Sequence, residues 1–110
     1  MKFIKQNIHG LFLIELKCYK DSRGSFHEAW KINDIRKKIS KNINFIQENI
    51  SISKKNVFRG FHFQKYPFEQ SKLLRVLNGS IYDICIDIRK NSKTFLKVFE
   101  LNQLCLDLNY

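Results

Sequence analysis

Asn78-Gly79 stands between two apolar-rich runs, residues 71–77 and 80–88. A type I′ turn needs positive φ at both central residues, which Asn-Gly tolerates better than other pairs. The dipeptide therefore predicts a β-hairpin built from those two runs. Phe45-Ile46-Gln47-Glu48-Asn49-Ile50-Ser51-Ile52-Ser53 adds a clear two-residue alternation. Ile46, Ile50 and Ile52 point one way, and Gln47, Asn49, Ser51 and Ser53 the other. Further strands are predicted over 11–18, 26–30, 57–64 and 95–101, with a turn at Asp21-Ser22-Arg23-Gly24. Ile32, Ile35 and Ile39 recur at helical spacing and mark one short helix near 31–39. Many strands, hairpin turns and one helix specify an all-β sandwich or barrel. The polar side of 45–53 has two readings. It faces solvent, as in most half-buried strands, or it lines the cavity of a small ligand-holding barrel.

The chain has 110 residues, which suits a single domain, 1–110, with one core. No apolar run approaches the roughly 20 residues that cross a bilayer, so no membrane partner is expected. The first residues lack a small-residue cleavage site and are interrupted by charge, unlike a signal peptide. Cys18, Cys85 and Cys105 are scattered and odd in number. That pattern fits reduced thiols in a cytoplasm and neither a disulfide framework nor a zinc site. The formal charge of +10 favours an anionic partner. Nucleic acid and a phosphate-bearing small molecule satisfy it equally, and solvated surface lysines explain much of it.

Arg59-Gly60-Phe61-His62-Phe63-Gln64 isolates one histidine between two phenylalanines. Metal binding is disfavoured, because His9, His27 and His62 are far apart and no carboxylate lies at ligand spacing. The stretch overlaps the aromatic strand of an RNA-recognition motif. His62 and Gln64 break that pattern, and no helix fits between the 45–53 and 57–64 strands, so no nucleic-acid partner is expected. Packing and proton transfer remain.

Taken together, six stretches resemble the dTDP-4-dehydrorhamnose 3,5-epimerases. Asp21-Ser22-Arg23-Gly24-Ser25-Phe26-His27-Glu28 is similar to that family's D-x-R-G-x-F-x-E, and Phe45 to Ser51 to its F-x-Q-x-N-x-S. Arg59 to Gln64 matches R-G-[LF]-H-[FY]-Q, and Gln70-Ser71-Lys72-Leu73 matches Q-x-K-L. Gly79 to Arg89 matches G-x-[IV]-x-D-[VI]-x-[VI]-D-[IL]-R, and Ser92 to Phe95 matches S-x-T-[FY]. The order and near-ungapped spacing carry the specificity.

The resemblance implies a cupin-like jelly-roll barrel, a homodimer, and no metal or organic cofactor. It implies the substrate dTDP-4-dehydro-6-deoxy-D-glucose, epimerised at C3 and C5 in dTDP-L-rhamnose biosynthesis. His62 corresponds to the general base, since an imidazole titrates near neutrality and can take and return a proton beside a ketone. Lys72 would place positive charge near the C4 oxygen as the enolate forms. Arg23 and Arg59 would hold the nucleotide and its diphosphate with forked donors. Phe26, Glu28, Gln47 and Asn49 would contact nucleotide or sugar, and Asp83 would support the site from the cavity side. Arg59 and His62 have opposite strand parity, which a bulge at Gly60 would correct.

Family members continue through a G-F-A-H-G-F-like segment and then a general-acid tyrosine. Here the chain runs out through Leu104-Cys105-Leu106-Asp107-Leu108-Asn109-Tyr110, and Tyr110 matches neither. The expectation is a barrel incomplete at its C-terminus, with open strand edges, poor solubility or edge-to-edge association. Inversion would then be slow. The alternative is a non-catalytic dTDP-sugar-binding cupin domain.

Overall fold

The computed structural model describes residues 1–105; Tyr110 lies outside the described residues. Three antiparallel pairs of strands and one helix follow one another along the chain. β1 (Lys2–Lys5) pairs with β2 (Phe12–Glu15), setting Phe3 opposite Ile14 and Lys2 opposite Glu15. The latter pair is joined by a 3.3 Å salt bridge. β3 (Cys18–Asp21) and β4 (Gly24–His27) close around Ser22-Arg23, as the turn residues predict. The strand expected over 26–30 thus ends at His27. Trp30 instead sets its ring edge-on to Phe45, 5.9 Å between centroids.

The helix α1 (Ile32–Lys38) forms where the isoleucine spacing predicts it. Asp34 lies in its first turn and Arg36, Lys37 and Lys38 in its last, each sign matched to the helix dipole. Ile35 is the anchor, at 1% exposure. Arg36 then ties the outgoing chain down by donating to the Ile43 carbonyl at 2.9 Å.

The Asn78-Gly79 hairpin is not formed. β5 (Ser80–Ile86) pairs instead with β6 (Val98–Leu104), from Ser80 opposite Leu104 to Ile86 opposite Val98. Gly79 takes φ +77, but Asn78 does not join it at positive φ, so the type I′ geometry is missing. The Gly79 carbonyl accepts from the Cys105 N–H at 2.8 Å and so lengthens the β5–β6 ladder. β6 begins three residues later than expected (Val98 rather than residue 95). The preceding residues are turned by Phe95 N–H to Ser92 O and Lys97 N–H to Thr94 O bonds.

The strands expected over 45–53, 57–64 and 71–77 are also missing as ladders. A strand needs a neighbour to bond, and among the described residues this part of the chain has none. The sole backbone–backbone hydrogen bond within 46–75 runs from the Phe68 N–H to the Lys65 carbonyl, 2.8 Å. Every residue from 46 to 75 is exposed. Only Ile8 and Ile35 are buried apolar residues among those described. The result is an all-β chain, opened rather than closed into a barrel. Among the described residues, no helix is long and apolar enough to cross a membrane.

Candidate active site

Gln47 and Asn49 share a side, as the alternation predicts: the Gln47 amide donates to Asn49 Oδ1 at 3.0 Å. Both are exposed. Arg59 reaches back across the same segment, donating to Ser53 Oγ at 2.9 Å and to the Ile52 carbonyl at 3.3 Å. The parity problem between Arg59 and His62 is removed by a different device from a bulge. Gly60 takes φ +146, a setting that L side chains rarely adopt. With no ladder here, strand alternation does not bind the residues on its two sides. His62 is exposed, and its imidazole has no hydrogen-bond partner among the described residues.

Lys72 lies at a cleft of about 160 Å³ whose wall includes Phe12, Ile14, Ile35, Ile39 and Leu73. This is the seam between β2 and α1, and His62 is not part of it. Leu73 also lines a second cleft, of about 110 Å³, with Trp30, Glu48 and Arg75. Of the two residues expected to act together on a ketone, Lys72 lines the first of these clefts and His62 lines neither.

Arg23 is engaged locally. Its Nη2 donates to Asp21 Oδ2 at 2.6 Å and its backbone N–H to Asp21 Oδ1 at 2.9 Å. The guanidinium holds the Asp21 carboxyl below its usual range, and the carboxylate raises Arg23 in return. Both are exposed, so this pair contributes little to stability. Phe26 is 67% exposed and tilts against Tyr19 across the β3–β4 pair. Glu28 pairs with Lys31 at 2.9 Å and raises the Lys31 ammonium. Asp83 accepts from the Gln103 amide at 3.3 Å across β5–β6. Beside it, burial and then the Asp83 charge push the Cys85 thiol up.

The most built-up polar cluster was given no role by the spacing of its residues. Asp87 is buried, at 3% exposure. Its carboxylate accepts from Arg89 Nε and Nη2, both at 2.8 Å, from Ser92 Oγ at 2.6 Å and from Thr94 Oγ1 at 2.7 Å. Arg89 foremost, then the two hydroxyls, hold the carboxyl far below the usual carboxylate range against the opposing effect of burial. Arg89 also donates to the His9 carbonyl at 2.5 Å, and the His9 N–H donates to Thr94 Oγ1 at 2.9 Å. The cluster thus ties the β1–β2 turn to the β5–β6 loop. Its signal in the sequence is the Asp87-x-Arg89-x-x-Ser92-x-Thr94 pattern, in which three polar side chains converge on the Asp87 carboxylate. Among the described residues, no group of three or more His, Cys, Asp or Glu is placed to hold a metal ion.

A family model described as dTDP-4-dehydrorhamnose 3,5-epimerase matches residues 5–104. The enzyme of that name from Salmonella typhimurium is 41% identical over 95 residues, covering 86% of this chain and 52% of its own. The crystal structure of the Elizabethkingia anophelis NUHP1 enzyme superposes with a TM-score of 0.92 at 33% identity. It covers 98% of this chain and 59% of that one. The Bacillus anthracis enzyme, solved with TDP and PPi bound, gives 0.82 at 33% identity, covering 94% and 59%. The chain spans about half the length of the curated relatives it matches. The cupin-like architecture expected from the motifs is the one these structures share with it. The chain belongs to the dTDP-4-dehydrorhamnose 3,5-epimerase family.

Proposed function

We propose that this chain carries the substrate-holding and proton-abstracting part of a dTDP-4-dehydrorhamnose 3,5-epimerase, acting on dTDP-4-dehydro-6-deoxy-D-glucose. The observation that carries this reading is the family match over residues 5–104, which includes His62 and every other candidate. His62 takes a proton from the carbon beside the C4 ketone, the general-base role for which an imidazole is suited. The electron pair left behind moves onto the C4 oxygen, where Lys72 offsets the growing charge. Arg23 and Arg59 hold the diphosphate, while Phe26, Glu28, Gln47 and Asn49 contact nucleotide or sugar. Asp83 supports the site from the cavity side. The TDP and PPi carried by the Bacillus anthracis relative support a ligand of this class. The same reading takes 1–110 as one domain, working as a homodimer in the cytoplasm without a metal or organic cofactor.

Deuterium wash-in at C3 and C5 of the keto sugar is the direct test. Exchange by the wild-type chain, lost in His62→Ala, is the expected result. No exchange with the wild type, or exchange that survives the substitution, overturns catalysis through His62. A second reading is a dTDP-sugar-binding domain without turnover. It is favoured by the His62 imidazole, which has no carboxylate bonded to it among the described residues. Binding of dTDP with no exchange selects it.

A further inference from the structure

β6 alternates cleanly: Val98, Glu100, Asn102 and Leu104 are exposed, whereas Phe99, Leu101 and Gln103 are half-buried. The register sets Phe99 opposite Cys85, Leu101 opposite Asp83 and Gln103 opposite Ile81, so these six share one face of the hairpin. Gln103 carries the one amide on that face. Withdrawing an amide from water costs free energy unless it finds a partner. A third apolar side chain after Phe99 and Leu101 would carry no such cost. The amide is spent on Asp83: Gln103 Nε2 donates to Asp83 Oδ2 at 3.3 Å, diagonally across the two strands.

The bond leaves the carboxylate half-used. Oδ2 is engaged by Gln103, and among the described residues no donor is bonded to Oδ1. A lysine or arginine in place of Gln103 would fix the carboxylate and neutralise it. An amide fixes it and leaves its charge, so the second oxygen stays a strong acceptor. A diphosphate is repelled by that charge, whereas a hydroxyl donates to it, and the hydroxyl-rich part of a nucleotide sugar is its sugar. We propose that Gln103 is a positioning residue, holding the Asp83 carboxylate by one oxygen so that the other accepts a hydrogen bond from a sugar hydroxyl of a nucleoside diphosphate sugar. The inference rests on the epimerase reading, which takes Asp83 to the cavity side.

Calorimetric titration of the purified 110-residue chain with dTDP and with dTDP-glucose separates nucleotide from sugar. Gln103→Met keeps the length of the side chain and loses the donor. It is expected to weaken dTDP-glucose about tenfold, the worth of one hydrogen bond to a charged group, and to change dTDP by less than about twofold. Asp83→Ala is expected to weaken dTDP-glucose at least as much. Adding Gln103→Met to it should cost nothing further, because the two residues act as one unit. Equal weakening of dTDP and dTDP-glucose in Gln103→Met gives Gln103 a structural role only and overturns the proposal. Unchanged dTDP-glucose affinity in either single variant does so too, as does an additive loss in the double variant. A wild-type chain that binds neither nucleotide overturns the epimerase reading itself, and this inference with it.

Discussion

Residues 46–75 and the β5–β6 hairpin are neighbours in the chain, yet they are held by opposite means. The hairpin satisfies itself. Its two strands bond each other over seven residue pairs, and the connecting loop is gathered onto one buried carboxylate. Residues 46–75 have strong β patterning and large apolar side chains but no ladder and no burial. The difference teaches that residue type alone does not make a strand. Pairing does, and each strand of the hairpin has its partner within reach along the chain, whereas 46–75 has none among the described residues.

The largest expected break in this contrast comes from Asp87→Ala. It removes the acceptor for three side chains, and charged hydrogen bonds of this kind together contribute about 3 kcal/mol. Urea titration followed by hydrogen exchange should show β5–β6 protection lost at lower denaturant. Exchange over 46–75 should not move, because nothing there depends on the cluster. Unchanged β5–β6 protection would show that the ladder stands without its loop.

Acid sharpens the same point with a smaller effect. The folded Asp87 carboxyl lies below its ordinary value of about 3.9. The unfolded chain therefore binds the proton first as pH falls. The stabilisation is present in full above about pH 5 and is lost progressively below about pH 4. Circular dichroism should lose strand signal on that limb, and Asp87→Asn should flatten the dependence. A pH-independent signal down to about pH 2 would deny the carboxylate its role.

The smallest effect is expected in the open region. Phe61 and Phe63, at 60% and 61% exposure, bury little that unfolding would release. Phe61→Ser/Phe63→Ser should change stability by less than about 0.5 kcal/mol. The same variant should reduce light scattering and binding of an apolar dye. A large loss of stability would mean that these rings pack into a core after all.

Legibility followed locality. The helix was readable because Ile32, Ile35 and Ile39 mark one face without help from elsewhere, and Ile35 is indeed the anchor. The Asp21-to-Gly24 turn and the shared side of Gln47 and Asn49 were readable for the same reason. Asn78-Gly79 misled, because turn chemistry proposes a hairpin only when both flanking strands are free to pair. β5 had a better partner in β6. The strand Lys2–Lys5 is too short for its alternation to stand out. The Asp87 cluster depends on a contact with His9 that no local pattern announces. The parts assigned to His62 and Lys72 came from family motifs rather than from local pattern. That the Lys72 cleft leaves His62 out could not be read from spacing.

The bonds from His9 to Thr94 and Arg89, and from Asn7 to the Val98 carbonyl, each span eighty or more positions. On a ribosome the β1–β2 hairpin emerges about eighty residues ahead of its dock. Until Val98 has cleared the exit tunnel the nascent chain must therefore leave that hairpin undocked.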